Sequence, residues 1–372
     1  MNQGIQNLDL KKTRVYIDVF YYKTALSGIK TYIEELVQAS NKFGSNKIEY
    51  IFSHNIESLK NKKFFINSKF RLVRWIFQIT YLFWKQIVLP IKLYYNKVDF
   101  LICPDYVAPV FTTSKKIVVI HDNLFWKYPQ NYPSLWRKYF IVLIKAGIDY
   151  RTEIVTTSNY SKDSLSDIFK NYHIKPIYQS SEKIFSNIKS AKKKYITHIG
   201  TFERRKDLLT LVKAFKKIND EGYSEFELVL AGPTFLNGNN KVYREVINYV
   251  NEYGLEKNII IPGYLSRNEI IKLYSQSIIY VFPSIDEGFG IPLIEAMRSG
   301  VPVICSDIEV FKEIGKNSIL YFKVGNDNDL SEKLKILLNS EDLRKDLINS
   351  GKQNSKRFNQ SNFIKEFEKI YK

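Results

Sequence analysis

The sequence predicts a two-domain α/β protein, each domain built on an open parallel sheet. Three observations predict it. The chain has 372 residues, more than one hydrophobic core ordinarily serves. Short β-branched runs alternate with longer amphipathic stretches, the rhythm of strands joined through helices. That rhythm breaks once, between Ile174 and Lys194, where Pro176, several serines and a lysine-rich end read as a linker, and then begins again. Residues 1–180 form the expected first domain, 181–355 the second, and 356–372 a last helix crossing back to the first.

In the first series, Val15–Asp18 reads as a strand and Gly28–Ala39 as the helix after it. Ile48–Phe52, Phe100–Cys103, Ile117–His121 and Ile154–Thr157 follow as short strands, with a helix over Ser134–Ile148. In the second series, Tyr195–Ile199, Phe226–Ala231, Ile259–Ile261, Ile279–Phe282, Val301–Cys305 and Ile319–Phe322 read as strands. Asp207–Ile218 and Lys241–Glu252 read as helices, and Pro292 opens another, since proline is tolerated in a first turn. The closing helix lies near Phe363–Tyr371. Open parallel sheets bind ligands at the carboxyl ends of their strands, so a cleft between the two domains is the expected site.

Hydrophobic residues at 45% and charged residues at 25% exclude a largely disordered chain. Cys103 and Cys305 are too few for a disulfide framework and lie in apolar stretches, which suits buried thiols in a reducing compartment. Met1–Asp9 is polar and lacks the apolar run of a signal peptide, so a cytoplasmic location is expected. The net charge of +18 suggests an anionic partner: nucleic acid, anionic lipid or a phosphorylated substrate. Much of that lysine is also simple surface solvation, yet its distribution is uneven. From Lys60 to Val98 there is no acidic residue, while Arg71, Arg74, Lys85, Lys92 and Lys97 interleave with Trp75, Phe77, Tyr81, Trp84 and Tyr94. Residues 60–98 therefore suit an anionic membrane surface, or a core helix with aromatics inward and cations outward. Both readings stand, for different faces. Gln78, Lys85, Gln86 and Pro90 interrupt the apolar run, which makes a transmembrane span a poor reading.

Asp286–Met297 holds the densest chemistry. Gly288 and Gly290 let the backbone approach a ligand closely and leave amides to donate. The helix after them turns its positive end to whatever sits there. Glu287 and Glu295 can accept hydrogen bonds from hydroxyls such as those of a sugar and a ribose. The same residues also fit a plain strand–loop–helix turn with solvated glutamates. Arg205 and Lys206 precede another helix start, where two cations neutralise a phosphate; with Arg204 beside them they also fit an exposed charge run. His121, alone after a strand, is more often structural.

These segments together resemble retaining glycosyltransferase family 4. Glu287 and Glu295, separated by seven residues, match its Glu-x7-Glu motif. Gly300-Val301-Pro302-Val303-Ile304, Ala231-Gly232-Pro233 and Ile261-Pro262-Gly263-Tyr264-Leu265 are similar to further segments of the family, as is His198 to Asp207 with its basic pair. In the first half, Val119-Ile120-His121-Asp122 resembles the family's acceptor-side histidine segment. Trp84 to Pro90 is similar to a stretch of its mannosyltransferase-like members. The resemblance covers nearly the whole chain and implies the GT-B fold, two facing Rossmann-like domains.

By that resemblance Arg205 and Lys206 grip the donor's diphosphate, Glu287 holds the sugar hydroxyls and Glu295 clasps the ribose. The amides of Phe289, Gly290 and Ile291 face sugar and phosphate. Gly28 and Gly200 stand in phosphate-side loops, Tyr264 and Leu265 near the base, and His121 near the reacting sugar. Lys30 departs from the pattern, standing where a second glycine is common. Asp327-Asn328-Asp329 matches the metal signature of the other main glycosyltransferase fold, yet it precedes a helical run and reads as an N-terminal cap. No essential metal and no other cofactor are expected.

The implied activity is retaining transfer of a hexose from a nucleotide diphosphate sugar, GDP-mannose ahead of UDP-sugars. The acceptor is a glycan or lipid-linked acceptor in surface polysaccharide assembly, at the inner face of the membrane, with no nucleic-acid partner. The alternatives are a sugar-nucleotide epimerase or phosphorylase on the same scaffold, and a non-enzymatic binder of anionic surfaces.

Overall fold

Strands and helices alternate as the apolar periodicity dictates. The structure is a computed structural model. It describes residues 11–25, 27–60, 71–181, 194–234 and 240–372, with the backbone alone for residues 27, 60 and 71–75. The chain divides into two compact units. The first comprises Met1–Thr157, Lys162–Ser180 and Asn359–Lys372, the second Ser158–Ser161 and Ser181–Phe358.

The first unit carries β1 (Thr13–Ile17), β2 (Ile48–Phe52), β3 (Phe100–Cys103), β4 (Lys115–Val119), β5 (Glu153–Thr156) and β6 (Ile174–Pro176). They form a parallel sheet in the order β2-β1-β3-β4-β5-β6. Two expectations are corrected here. Ile174–Pro176 is not linker but the edge strand, paired with Ile154–Thr156; three residues with proline at the end are too short to show periodicity, and an edge tolerates proline. The fourth strand begins and ends earlier than expected, so His121 lies in the loop past its carboxyl end.

Helix Gln360–Glu368 belongs to this first unit. Phe363, Ile364 and Phe367 pack into the same core as Tyr32, Ile33 and Leu36 of helix Ser27–Phe43. Its first residue also partners a buried carboxyl group: Glu35 accepts from Gln360 Nε2 at 3.0 Å and from Ser180 Oγ at 2.8 Å. A buried carboxylate without such donors would be costly.

The second unit carries β7 (Tyr195–Ile199), β8 (Glu227–Ala231), β9 (Ile259–Gly263), β10 (Ser277–Phe282), β11 (Val303–Ser306) and β12 (Leu320–Phe322). The sheet is parallel, in the order β12-β11-β10-β7-β8-β9. Both orders reverse direction once, between β1 and β3 in the first sheet and between β7 and β10 in the second. Such a switch point leaves a crevice past the carboxyl ends of the two strands. Cys103 and Cys305 are buried thiols. The Asp327-Asn328-Asp329 run forms the first turn of helix Asp327–Asn339, but the capping side chain is Asn326, which accepts from the Asp329 amide at 3.0 Å.

Residues 71–95 form a helix over Arg71–Phe83, a π-helical turn over Trp84–Val88 and a helix over Leu89–Tyr95. The π-helical turn places the consecutive residues Trp84 and Lys85 both inside. Lys85 was expected on a cationic surface; instead its ammonium lies 2.8 Å from Asp18 and 2.7 Å from Asp105, all three side chains wholly buried. Asp18 follows β1 and Asp105 follows β3, so this ion cluster fills the first sheet's own switch point. Residues 61–70 of the basic stretch lie outside the described residues. No helix among the described residues is long and apolar enough to cross a membrane.

Candidate active site

At the switch point of the second sheet, two loops bring opposite charges together. Past β7, Gly200–Glu203 leads into a 3₁₀ turn, Arg204–Lys206, that Asp207 closes in a left-handed conformation before helix Leu208–Asp220. Past β10, Ser284–Gly288 leads to Gly290 and helix Ile291–Arg298. The Ile285 amide donates to the Arg205 carbonyl at 2.8 Å, tying the loops edge to edge.

Glu287 is the centre. One carboxylate oxygen takes Lys206 Nζ at 2.5 Å and Ser284 Oγ at 2.9 Å; the other lies 2.6 Å from the Arg205 guanidinium. Burial opposes its ionisation, but Arg205 and Lys206 outweigh that and hold its pKa down at about 2. Burial, with the like charge of Arg205, lowers the Lys206 ammonium below its ordinary value. Glu287 thus faces two basic side chains, and Glu203 partners the half-buried Arg205 from the rim at 3.0 Å. Arg204 points away, exposed, toward Glu245, so the outward-run reading holds for that residue alone.

Gly290 has φ +101°, a region that favours glycine, and a Cβ there would meet the Phe311 ring at 3.1 Å. It caps the helix whose first-turn amides have no intrahelical acceptor. The Phe289 side chain is core, edge-on to Phe358 at 5.7 Å, so only its backbone is available to a ligand. Ser158 and Ser161 hold the loop from the other side, both hydroxyls donating to the Gly288 carbonyl at 2.7 and 3.0 Å. Tyr160 donates to Asp286 at 3.0 Å.

Glu295 lies one turn into the helix, buried, with Arg267 at 3.3 Å. Tyr274 is packed beside it; burial first, then neighbours including Glu295, push its phenol well above the ordinary value. Gly200 carries no side chain because a Cβ would meet His198 Nε2 at 2.7 Å. His198 hydrogen-bonds the Val281 carbonyl through Nδ1 at 3.0 Å, and burial lowers its pKa to about 3, so it is neutral. Tyr264 is exposed past β9 and Leu265 half-buried beside it.

The structure thus brings Arg205, Lys206, Glu287, Gly290, Ile291 and Glu295 into one unit. Gly28 and His121 belong to the other. Gly28 opens helix Ser27–Phe43 with nothing within 4 Å of a Cβ built on it, and Lys30 lies over the Tyr22 ring at 5.0 Å. His121 Nε2 donates to the Pro104 carbonyl at 2.8 Å, with Tyr32 edge-on at 4.8 Å. Burial lowers its pKa to about 4. Sequence reading missed Arg267 and the Ser158–Ser161 segment, which lie far along the chain from the motifs they serve, and Ser284, three residues before Glu287, whose inward turn toward that carboxylate carries no local signal. Among the described residues, no group of three or more His, Cys, Asp or Glu side chains could hold a metal ion.

The family profile described as glycosyl transferases group 1 matches residues 179–354. The O-antigen chain mannosyltransferase RfbU of Salmonella typhimurium is 32% identical over 206 residues, which is 55% of this chain and 55% of RfbU. The chain thus spans about half the length of that curated relative. Among solved structures, sucrose-phosphate synthase of Thermosynechococcus elongatus superposes with a TM-score of 0.72 at 17% identity, covering 97% of this chain and 98% of that one. Anabaena HepE, solved with UDP and glucose, gives 0.67 at 14% identity over 97% and 99%. At such identities the likeness is one of fold. The second unit thus matches the profile of the group 1 glycosyl transferases, and the chain as a whole shares the GT-B fold of these solved structures.

Proposed function

We propose that the protein transfers a hexose from a nucleotide diphosphate sugar, with retention, to a glycan or lipid-linked acceptor in surface polysaccharide assembly. One observation carries this reading: Glu287 poises Arg205 and Lys206 at the switch point of a sheet whose next helix opens at Gly290. Two preorganised cations and a helix N-terminus suit a diphosphate whose charge grows as the anomeric carbon–oxygen bond breaks. When a diphosphate takes the cations, Glu287 is left to accept from sugar hydroxyls. Glu295 is set to clasp the ribose, with Arg267 fixing its orientation. The acceptor hydroxyl attacks from the face the phosphate leaves, and its proton passes to the leaving phosphate oxygen. His121, neutral and pinned, lines the acceptor side in this reading. No essential metal enters it. The likeness to RfbU favours mannose, and hence GDP-mannose, over UDP-sugars; the UDP bound to HepE keeps the second in view. The reaction belongs at the inner face of an anionic membrane, approached through residues 60–98.

The test is a thermal-shift panel of UDP, GDP, ADP and their sugar derivatives on the wild type and on Glu295→Ala. Binding raises the melting temperature by mass action. One nucleotide family should stabilise the wild type, with affinity about 10- to 100-fold weaker in the variant, the range for a hydrogen bond to a charged group. No response to any nucleotide would remove the donor reading. Nucleotide released without acceptor would point to an epimerase or phosphorylase.

A further inference from the structure

The helical segment after Arg71 is apolar on two opposite faces. Its inner face buries Tyr81, Trp84, Leu89 and Leu93 in the first unit's core. Its outer face presents Ile76, Ile79, Phe83, Ile87 and Ile91 at a spacing of three or four, each between 48% and 65% exposed. The stripe ends on the exposed pair Tyr94 and Tyr95, their rings 5.9 Å apart. A helix apolar all round belongs in a core or against lipid, and this outer face is in no core. Scattered exposed apolar residues need no explanation, but a continuous stripe does.

The charges around it select the partner. From Arg71 to Val98 there is no Asp or Glu, and Lys92 and Lys97 are exposed at the tyrosine end. A second copy of the chain would bring one charge of +18 against another. Aromatic rings beside lysines at the end of an apolar stripe suit the headgroup level of a bilayer. No helix among the described residues is long and apolar enough to cross a membrane, so a lipid contact made by this face would lie in the interface plane.

We infer that the outer face of residues 76–95 docks on an anionic lipid bilayer, the isoleucines and Phe83 entering the interface and the lysines meeting the headgroups. The sequence suggested aromatics and cations for such a contact; the structure turns Tyr81, Trp84 and Lys85 inward and assigns the contact to the isoleucine stripe. The inference rests on the transferase reading only for why a membrane is wanted.

The experiment is co-sedimentation of the full chain with vesicles of phosphatidylcholine alone, or with about a third phosphatidylglycerol. The wild type should bind the anionic vesicles about tenfold more tightly than the neutral ones. Phe83→Ser with Ile87→Ser should weaken that binding at least ~10-fold. Lys92→Gln with Lys97→Gln should weaken it and flatten its salt dependence. Tyr150→Ser, at an exposed ring elsewhere, should change nothing. Unchanged melting temperatures and unchanged nucleotide stabilisation certify that the variants are folded. The inference is overturned if the wild type stays in the supernatant, if the serine pair binds as the wild type does, or if light scattering shows a dimer that the serine pair makes monomeric. Vesicle binding without any nucleotide binding sinks the transferase reading and leaves the surface standing; nucleotide binding without vesicle binding does the reverse.

Discussion

Glu287 keeps a charge that burial alone would remove, because Arg205 and Lys206 share its two oxygens. Glu287→Gln therefore leaves a buried cation short of its partner. Unfolding free energy should drop by about 3 kcal/mol, and transfer should drop by at least ~100-fold. A variant as stable as the wild type would show that the ion cluster is only loosely held. Arg267→Gln removes the cation beside Glu295 and should weaken nucleotide binding about fivefold while leaving donor preference unchanged, by calorimetry. The pH dependence has two stages. His121 and His198 have folded pKa values near 4 and 3 against an ordinary 6.5. The unfolded chain thus binds their protons first, and stability falls as pH drops from 6.5 toward 4. Glu287, folded near 2 and ordinarily 4.5, adds stability present above 4.5 and lost below it. Asp105 works the other way: burial, with the charge of Asp18 against that of Lys85, raises it from 3.8 to about 6, so its share grows as pH falls through 6. Urea midpoints measured from pH 7 to 3 should fall in both stages, and a flat profile above 4.5 would contradict the buried histidines. At this scale the sequence showed which residue types carry charge and where glycine is needed. It could not show that Arg267 completes the site, since its partner Glu295 is remote in the chain, nor that the Ser284 hydroxyl turns toward Glu287 three residues on.

Among the elements, the π-helical turn at Trp84–Val88 decides most. A regular helix separates neighbouring residues by about 100°, and sequence periodicity accordingly left Lys85 among the surface cations. The wider turn brings it inside, between Asp18 and Asp105. Lys85→Met should cost about 3–5 kcal/mol, because two carboxylates are then buried without a cation. A loss below ~1 kcal/mol in urea unfolding would mean that water reaches them. Charge reversal at Lys85 is accordingly a test of folding, not of surface attachment. The strands were the most legible elements: Ile48–Phe52, Phe100–Cys103 and Tyr195–Ile199 lie as expected, since buried parallel strands are short continuous apolar runs. Ile174–Pro176 escaped because a three-residue edge strand has no periodicity to display.

Over the whole molecule, the chain leaves its first unit and returns to it. A chain ended at Phe358 would strip Phe363, Ile364 and Phe367 from the core around Tyr32, Ile33 and Leu36, and Gln360 from Glu35. Burial of three large side chains contributes about 5 kcal/mol, so the first unit should melt early or aggregate, while nucleotide still stabilises the second. Equal melting of the truncated and full chains would overturn this dependence. The sequence by itself determined the α/β class, the two series of parallel strands and the motif loops around Arg205, Lys206, Glu287 and Glu295. Those follow from local apolar patterning and from residues adjacent in the chain. Strand order, and with it the switch points, was decided only by the tertiary structure. So were the inward turn of Lys85, the outward isoleucine stripe and the serines under Gly288. Each depends on which remote segments pack together, and a side chain's partners across such distances leave no mark on its own neighbours in sequence.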